Sequence, residues 1–252
     1  MRNIIFNEDK IRLDSGFYFG KGVFETILIK EKPVFLKEHI NRLNRAIKKL
    51  NLGEEVDEII ISKFIKENKI RNAALKIVVS ENNLLFQVRE IKYKEEDYFY
   101  GFKVRFSEVL RNSTSRLVSF KTLNYTENII ELDISKSYGY NEAIFLNEKG
   151  FITEGCTTNI FIIKDNKIYT PKVECGLLPG IVRQWVIDNF NAMEKEMTKE
   201  ELLNADEIFL TNSLVGIIKV SNLEDKDFKC NLINNIKNAY DDVVKKGVWI
   251  NE

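Results

Sequence analysis

The residues of this chain best suited to chemistry are a lysine and a glutamate. Lys121 follows an extended, partly apolar run and precedes a helical pattern that begins near Asn124, and Glu154 lies between two strand-like runs. A lysine amine can form a Schiff base with an aldehyde. A carboxylate can keep a pyridine nitrogen protonated, which lets the ring withdraw electrons. Because the chain has 38 Lys+Arg and 38 Asp+Glu, this pair needs support from other features.

A phosphate site is the first such feature. The loop 176–180 contains glycine and proline, and it precedes an apolar stripe at helical spacing that starts at Val182. The first backbone N–H groups of a helix have no internal partners, and the helix dipole favours an anion there. The N–H groups of Ile181 and Val182 are therefore candidates for holding a phosphate. An unoccupied helix start is the alternative interpretation.

Six segments, taken in order, resemble the class IV fold of pyridoxal-phosphate enzymes. They are GKGVFET, EHINRLNRAI, FKTLNYTENI, TEGCTTNIF, GLLPGIVR and DEIFLTNS. The similarity runs from about Asp14 to about Val220, and the family contains branched-chain aminotransferases, D-amino-acid aminotransferases and 4-amino-4-deoxychorismate lyases. The resemblance implies an α/β chain of the α+β type with a two-domain, D-amino-acid-aminotransferase-like fold. It also implies pyridoxal 5'-phosphate between the domains and a homodimer.

The resemblance implies roles for three residues around the cofactor ring. Lys121 would form the Schiff base with the cofactor aldehyde and then act as general base at the substrate Cα. Glu154 would pair with the pyridine nitrogen. Tyr125 would contact the ring hydroxyl, although the matching tyrosine of the branched-chain enzymes lies further from its lysine.

Phosphate anchors are implied in the same way. Arg42 lies on a predicted helix and, taken alone, could be a solvated or salt-bridged arginine. In the segment EHINRL it matches the arginine that grips the cofactor phosphate, and a guanidinium suits a phosphate well. Ser213 and the N–H groups of Ile181 and Val182 would complete this anchor. His39, on the same helix, is interpreted as structural.

The branch of the family decides the reaction. The Arg-x-His pair of the D-amino-acid enzymes is absent, and KTLNY and EGCTTNIF resemble the lyases more than the branched-chain enzymes. A lyase would remove the Cα proton and eliminate the enolpyruvyl group of 4-amino-4-deoxychorismate, giving pyruvate and 4-aminobenzoate for folate biosynthesis. Thr26 would be the general acid. The alternatives are a transaminase acting on branched-chain or D-amino acids, and a non-catalytic binding protein. Lys21 departs from an acidic residue common in the family.

Composition restricts the other function classes. The formal net charge is zero, which disfavours a nucleic-acid partner. A single histidine, His39, excludes a His-rich metal site, and no metal is expected. Three cysteines without CxxC spacing, Cys156, Cys175 and Cys230, indicate reduced thiols. No apolar run approaches the roughly 20 residues of a membrane span. These features predict a soluble cytoplasmic protein, and the family resemblance implies an enzyme with a small-molecule substrate.

The element pattern predicts short antiparallel strands rather than a doubly wound sheet. Predicted hairpins join residues 74–80 to 84–91 and 159–164 to 167–170. A polar stretch at 111–116 is the predicted linker. It separates an N-terminal domain, 1–110, from a C-terminal domain, 117–252, that carries the lysine. Arg105 and Arg111, near this linker, are either contacts for an anionic substrate or ordinary surface arginines.

Overall fold

The computed structural model describes residues 2–6, 10–229 and 231–246 of the chain. The chain divides into two compact units. The first contains residues 1–92, 120–125 and 242–252, and the second contains residues 93–119 and 126–241. Lys121 therefore belongs to the first unit, and the predicted linker at 111–116 lies within the second. The predicted domain boundaries differ from this division and stay a prediction.

The first unit contains a mixed sheet whose described strands lie in the order β1, β4, β3, β2. They are β1 (Asn3–Phe6), β2 (Val23–Ile29), β3 (Ala73–Val79) and β4 (Asn83–Arg89). β1 is parallel to β4, and the other neighbours are antiparallel. The predicted β3–β4 hairpin is therefore confirmed. β2 and β3 are rich in β-branched residues, as expected for strands, because such side chains pack well on a pleated surface.

Helices cover one face of this sheet. They are α2 (Leu36–Lys49) and α3 (Glu58–Glu67), and a shorter α1 (Ser15–Phe19) precedes β2. The apolar stripe of α2 and α3 packs with Val23, Ile27 and Ile29 in one buried core. Side chains alternate along a strand, so Phe24, Thr26 and Leu28 of β2 lie on the opposite face of the sheet.

The second unit contains a larger sheet. Its described strands follow the order β10, β9, β8, β11, β12, β5, β6, β7, with β13 beside β12. The strands are β5 (Phe102–Arg111), β6 (Glu142–Asn147), β7 (Ile152–Gly155), β8 (Asn159–Lys164), β9 (Lys167–Pro171), β10 (Met193–Lys195), β11 (Glu207–Asn212), β12 (Gly216–Leu223) and β13 (Lys226–Asp227). The remaining α-helices of the chain, among the described residues, are α4 (Glu95–Tyr100), α5 (Thr126–Ser137), α6 (Ile181–Phe190), α7 (Lys199–Leu203) and α8 (Ile233–Lys246).

Local sequence signals account for several of these boundaries. β8 and β9 form the predicted hairpin. Its turn places Asp165 and Asn166 at φ 49° and 59°, a conformation that Asn and Asp tolerate. Thr198 accepts a hydrogen bond from the Glu201 N–H at 3.2 Å and donates its own N–H to Glu201 at 2.9 Å. This is the predicted capping box at the start of α7.

Two predicted features of the chain differ from the structure. Asp14, Ser15 and Gly16 are typical turn residues and predict a turn, but Asp14 accepts the N–H of Gly16 at 2.8 Å and caps helix α1. The charged residues of 92–97 predict an exposed connection, but the second half of this stretch begins α4. Both helices are short, so their sequences carry little periodic signal.

Cys156 and Cys175 are free and buried, and Cys230 lies outside the described residues. Across the described ranges, no helix combines the length and apolar character needed to cross a membrane.

Candidate active site

The lysine segment is attached to the edge of the first unit's sheet. The N–H of Phe24 donates to the Lys121 carbonyl at 2.9 Å, and the N–H of Leu123 donates to the Gly22 carbonyl at 2.9 Å. Val23 and Thr122 form an antiparallel bridge between them. A Cβ on Gly22 would lie 2.8 Å from the backbone oxygen of Val79 and 2.6 Å from the Leu123 side chain, and because the backbone oxygen cannot move aside, this approach requires glycine. The backbone of Lys121 is therefore fixed against β2.

Aromatic rings surround the lysine amine. Lys121 Nζ lies 4.5 Å from the Phe24 ring centroid and 4.9 Å from that of Tyr125. The two rings meet edge to face at 5.3 Å. Tyr125 is thus adjacent to Lys121, and Phe24 is a neighbour that the sequence did not single out. Cation–π contacts of this kind orient an ammonium group.

Thr26 lies on the same sheet face as Phe24, since the two are separated by one residue of β2. Its side chain is buried. It is paired in register with Lys76 of β3. The first unit therefore brings Lys121 and Tyr125 to the Phe24 ring, and Thr26 lies on the same sheet face as that ring.

Arg42 lies on α2 and binds a carboxylate of β2. Its Nε donates to Glu25 Oε1 at 2.7 Å and its Nη2 donates to Glu25 Oε2 at 2.8 Å. His39 Nδ1 lies 2.7 Å from the same Oε2. All three side chains are buried. Glu25 therefore orients the predicted phosphate-binding arginine, and His39 has a structural partner, as interpreted from the sequence.

The charge state of Glu25 follows from these contacts. Burial opposes its ionisation, but the charges of Arg42 and His39 and their hydrogen bonds more than offset burial, so the pKa of Glu25 lies far below its ordinary value. Sequence patterns did not identify Glu25, because an acidic residue within an apolar strand shows no partner until the fold is known.

In the second unit, Glu154 lies on β7 and its side chain is buried. Its Oε2 accepts the N–H of Leu178 at 3.0 Å. The carbonyl of Leu178 in turn accepts the side-chain amide of Asn159 at 2.9 Å. Glu154, the residue predicted to bind the pyridine nitrogen, is therefore held by the loop that leads into α6.

The start of α6 has the features of an anion site. Gly180 is the N-cap, and none of the described side chains caps this helix. A Cβ at Gly180 would lie 1.9 Å from Asn159 Oδ1, so the close approach of the loop requires glycine. The N–H groups of Ile181 and Val182 have no carbonyl one turn earlier to bind, as at any helix start. The predicted phosphate contact is compatible with this geometry.

Ser213 follows β11 in the turn to β12. The preceding Asn212 orders this turn, because its Oδ1 accepts the N–H groups of Leu214 at 2.9 Å and Val215 at 2.7 Å. The hydroxyl of Thr211 is buried, and within the described residues it has no hydrogen-bond partner. A polar ligand near this turn would satisfy that hydroxyl.

Glu142 is a second carboxylate that sequence patterns did not single out. It is buried in β6. It accepts the N–H groups of Ala143, Cys156 and Thr157 at 3.2, 2.9 and 3.1 Å. It also accepts the hydroxyls of Thr157 and Thr158 at 2.9 and 3.3 Å. Burial raises the pKa of Glu142, and hydrogen bonds from Thr157 and Cys156 lower it in part.

Glu142 orders the part of the chain that follows Glu154. The loop that it binds begins two residues after Glu154, so one buried carboxylate fixes the chain that leaves β7. By contrast, Arg105 and Arg111 are engaged elsewhere. Arg105 pairs with Glu131 and Arg111 pairs with Glu127, which supports a structural interpretation for both.

Comparison with known proteins identifies the family. The model for amino-transferase class IV matches residues 22–223. The chain belongs to this family. An aminodeoxychorismate lyase of Bacillus subtilis (strain 168) is 31% identical over 241 residues, 85% of this chain and 82% of the relative. A D-alanine aminotransferase of Bacillus licheniformis is 29% identical over 235 residues, 84% and 82% of the two chains.

Solved structures show the same fold. A candidate 4-amino-4-deoxychorismate lyase of Legionella pneumophila superposes with a TM-score of 0.85 at 26% identity, covering 95% of this chain and 99% of that chain. A branched-chain aminotransferase of Thermoproteus uzoniensis has a TM-score of 0.85 at 24% identity, covering 95% and 91% of the two chains, a likeness in fold alone. The class IV resemblance and the α/β fold of this family, both predicted from the sequence, are confirmed.

Class IV enzymes depend on pyridoxal 5'-phosphate, so this chain is a pyridoxal-phosphate enzyme, either a lyase or an aminotransferase. The donor groups described above fit that cofactor. Lys121 supplies an amine, Glu154 a carboxylate and the start of α6 a set of backbone donors. The buried hydroxyl of Thr211 lacks a partner among the described residues. The roles of the individual residues stay predictions.

The charge of Glu25 can be tested by replacement. In Glu25→Gln the buried Arg42 loses its counter-charge, and we expect a loss of about 3–5 kcal/mol in the free energy of unfolding. Glu31→Gln, which breaks the exposed Glu31–Arg71 pair, is the matched control with an expected loss of about 0–1 kcal/mol. Denaturant unfolding at neutral pH measures both. Equal losses in the two variants would contradict a buried ion pair at Glu25.

The same pair predicts a pH dependence. Because the pKa of Glu25 is lowered on folding, its contribution to stability is present at neutral pH and is lost as the pH falls below the ordinary carboxyl range. Unfolding measured from neutral to acidic pH should therefore be less pH-dependent in Glu25→Gln than in the wild type. An identical acid profile in the two proteins would show that Glu25 is not ionised in the fold.

Glu142 provides a test of the loop after Glu154. The backbone partners of both Glu142 oxygens are donors, so the amide of Glu142→Gln would oppose an N–H group. We expect amide hydrogen exchange at Cys156 and Thr157 to accelerate by about tenfold or more. Glu148→Gln, at an exposed carboxylate that accepts the Ser113 N–H, should leave these amides unchanged. Unaltered exchange in Glu142→Gln would overturn the assignment.

Proposed function

We propose that this class IV enzyme is a 4-amino-4-deoxychorismate lyase, which eliminates pyruvate from its substrate and gives 4-aminobenzoate for folate biosynthesis. The observation that carries the proposal is the placement of Thr26. Its side chain shares a sheet face with Phe24, whose ring lies 4.5 Å from Lys121 Nζ. An elimination needs a proton donor for the departing oxygen as well as a base, whereas a transamination has no such departing group.

The family resemblance supplies the residues that would hold the cofactor. Lys121 would attach it through its amine, Glu154 would bind its ring nitrogen, and Tyr125 would contact its ring hydroxyl. Its phosphate would be anchored by Arg42, Ser213 and the backbone N–H groups of Ile181 and Val182. Bound pyridoxal phosphate supplies an electron-withdrawing ring that makes the substrate Cα–H acidic.

Lys121 would then act as the general base. Its Nζ, released when the substrate amine takes its place, would accept the proton from Cα. The edge pairing of its backbone with β2 and the rings of Phe24 and Tyr125 restrict where this amine can move. A positioned base of this kind raises the rate of proton transfer by orders of magnitude over a free amine.

Thr26 would act on the leaving group of the substrate. Its hydroxyl would donate a proton to the ether oxygen of the substrate as the C–O bond breaks. The enolpyruvyl group would then leave as an enol, which becomes pyruvate. The ring, having lost the proton and the leaving group, becomes aromatic. The proton that Lys121 Nζ takes from Cα would return to the Thr26 oxygen, so that both residues regain their starting protonation states.

A class IV aminotransferase is the second candidate. It is favoured by the D-alanine aminotransferase of Bacillus licheniformis, whose 29% identity is close to that of the lyase from Bacillus subtilis. Such an enzyme would use the same lysine and would transfer an amino group from a branched-chain or D-amino acid to a keto acid. The products therefore distinguish the two functions.

The decisive experiment compares wild type with Lys121→Ala and Thr26→Val. Purified wild type should show the near-visible absorbance of lysine-bound pyridoxal phosphate and convert 4-amino-4-deoxychorismate to 4-aminobenzoate. Lys121→Ala should lose both. Thr26→Val should keep the absorbance and lose about 10²–10⁴-fold in kcat. Cofactor absorbance with amino-group transfer and without 4-aminobenzoate would identify an aminotransferase. Lack of the absorbance after addition of cofactor would exclude both enzymes.

We also propose a cytoplasmic homodimer. Helix α1 exposes three consecutive aromatic side chains, Phe17, Tyr18 and Phe19, at 62%, 61% and 78% of their area. A second copy of the chain would cover such a patch, which is uncommon on a monomer. Light scattering should therefore give twice the 29.4 kDa mass of one chain, and Phe19→Asp should lower it. A monomer at micromolar concentration would contradict this assembly.

A further inference from the structure

Asn159, the first residue of β8, adjoins several parts of the second unit at once. Its side chain is buried. Its Nδ2 donates to the Leu178 carbonyl at 2.9 Å, and its Oδ1 lies where a Cβ on Gly180 would be. In the sheet it is in register with Thr211 of β11. One amide side chain therefore connects the loop before α6 with the strand that leads to Ser213.

The backbone of Leu178 is held on both sides. Its N–H donates to Glu154 Oε2 at 3.0 Å, and its carbonyl accepts the Asn159 amide. Glu154 and Asn159 flank the turn 155–158, and the buried carboxylate of Glu142 accepts backbone N–H groups of that turn. The loop before α6 is thus fastened to both ends of one ordered turn.

A short path leads from this fastening to the helix. Two residues separate Leu178 from Ile181, the first residue of α6, and the ring of Pro179 restricts its φ. Gly180 has φ −70° and ψ 147°, a conformation that any residue can adopt. Its need for glycine comes from the Asn159 side chain, because a Cβ would collide with Oδ1. Asn159 therefore determines where α6 begins.

Thr211 lies directly across from Asn159. Residues in such a pair share a sheet face, with Cβ atoms about 4.5–5.5 Å apart. The Thr211 hydroxyl is buried and has no hydrogen-bond partner within the part of the chain that the structure describes. A buried hydroxyl without a partner costs free energy, so this end of the sheet is better suited to a polar ligand than to packing alone.

We propose that Asn159 is a positioning residue for the cofactor. It sets the distance between Glu154, which would bind the ring nitrogen, and the N–H groups of Ile181 and Val182, which would hold the phosphate. This inference rests on the cofactor contacts proposed above, and it applies equally to a lyase and to an aminotransferase. Asn159 acts through Leu178 and the start of α6, not by touching the cofactor.

The two ends of the cofactor make this distance important. The ring nitrogen and the phosphate of pyridoxal phosphate are joined by a rigid ring and a short arm. Two sites on a protein bind both ends together only if their separation matches. Pyridoxal, which lacks the phosphate, depends on the ring contacts alone. Loss of Asn159 should therefore weaken binding of pyridoxal phosphate and spare binding of pyridoxal.

Absorbance titration of the full chain, freed of cofactor, measures both affinities. Asn159→Ala should weaken binding of pyridoxal phosphate by about tenfold or more, because the Leu178 carbonyl loses its donor, and should leave pyridoxal within about twofold. Asn189→Ala is the matched control. Its amide donates to the Trp185 carbonyl at 2.8 Å near the other end of α6, and its loss should leave both affinities unchanged. Thermal melts check that each variant is folded.

Gly180→Ala tests the same contact from the other side and decides alone if Asn159→Ala does not fold. The added Cβ should displace the Asn159 amide and cause the same selective loss. In the double variant the Cβ has room, so its affinity for pyridoxal phosphate should equal that of Asn159→Ala alone. Additive losses would contradict an effect of Gly180 through Asn159.

Equal losses for pyridoxal phosphate and pyridoxal in Asn159→Ala would show a general structural role and overturn the proposal. Unchanged affinities, or a wild type that binds the two ligands equally, would also overturn it. If the selective loss occurs but wild type forms no 4-aminobenzoate, positioning by Asn159 stands and the lyase reaction fails. If 4-aminobenzoate forms without the selective loss, the lyase stands and the positioning role fails.

Discussion

The alternation of side chains along β2 is the constraint on which the first unit depends. One face of this strand supplies Val23, Ile27 and the carboxylate of Glu25 to the helical core, and the other supplies Phe24 and Thr26. A shift of one residue in its register would exchange the two sets and place an unpaired carboxylate beside the lysine. The pairing of Glu25 with Arg42 opposes that shift, because it fixes which face is buried.

Much of the fold could be predicted from periodic patterns. The helical stripe of α2 and the hairpin of β8 with β9 follow from spacing and turn residues. Lys121 and Glu154 were singled out by their local contexts and by a family resemblance; the comparisons confirm the resemblance, and the roles of the two residues stay predictions. Glu25 and Glu142 could not be recognised, because the value of a buried carboxylate depends on donors brought from distant parts of the chain.

The second unit achieves order near its candidate site by different means. Near that site, buried carboxylates accept backbone N–H groups. Glu142 binds the loop after β7 in this way, and Glu154 binds the loop before α6. Backbone contacts of this kind depend little on the identity of the residues bound. Some residues of these two loops are still restricted, because Glu142 also accepts the Thr157 and Thr158 hydroxyls and Gly180 has no room for a Cβ.

The chain order of the first unit has a consequence for recombination. Residues 120–125 belong to this unit although 27 residues assigned to the other unit, 93–119, separate them from residue 92. A chimera of two relatives joined between these segments would combine the β2 edge of one parent with the lysine segment of the other. Gly22 and Leu123, which meet at that edge, would then come from different parents. Functional chimeras should accordingly be those that inherit both residues as a matched set.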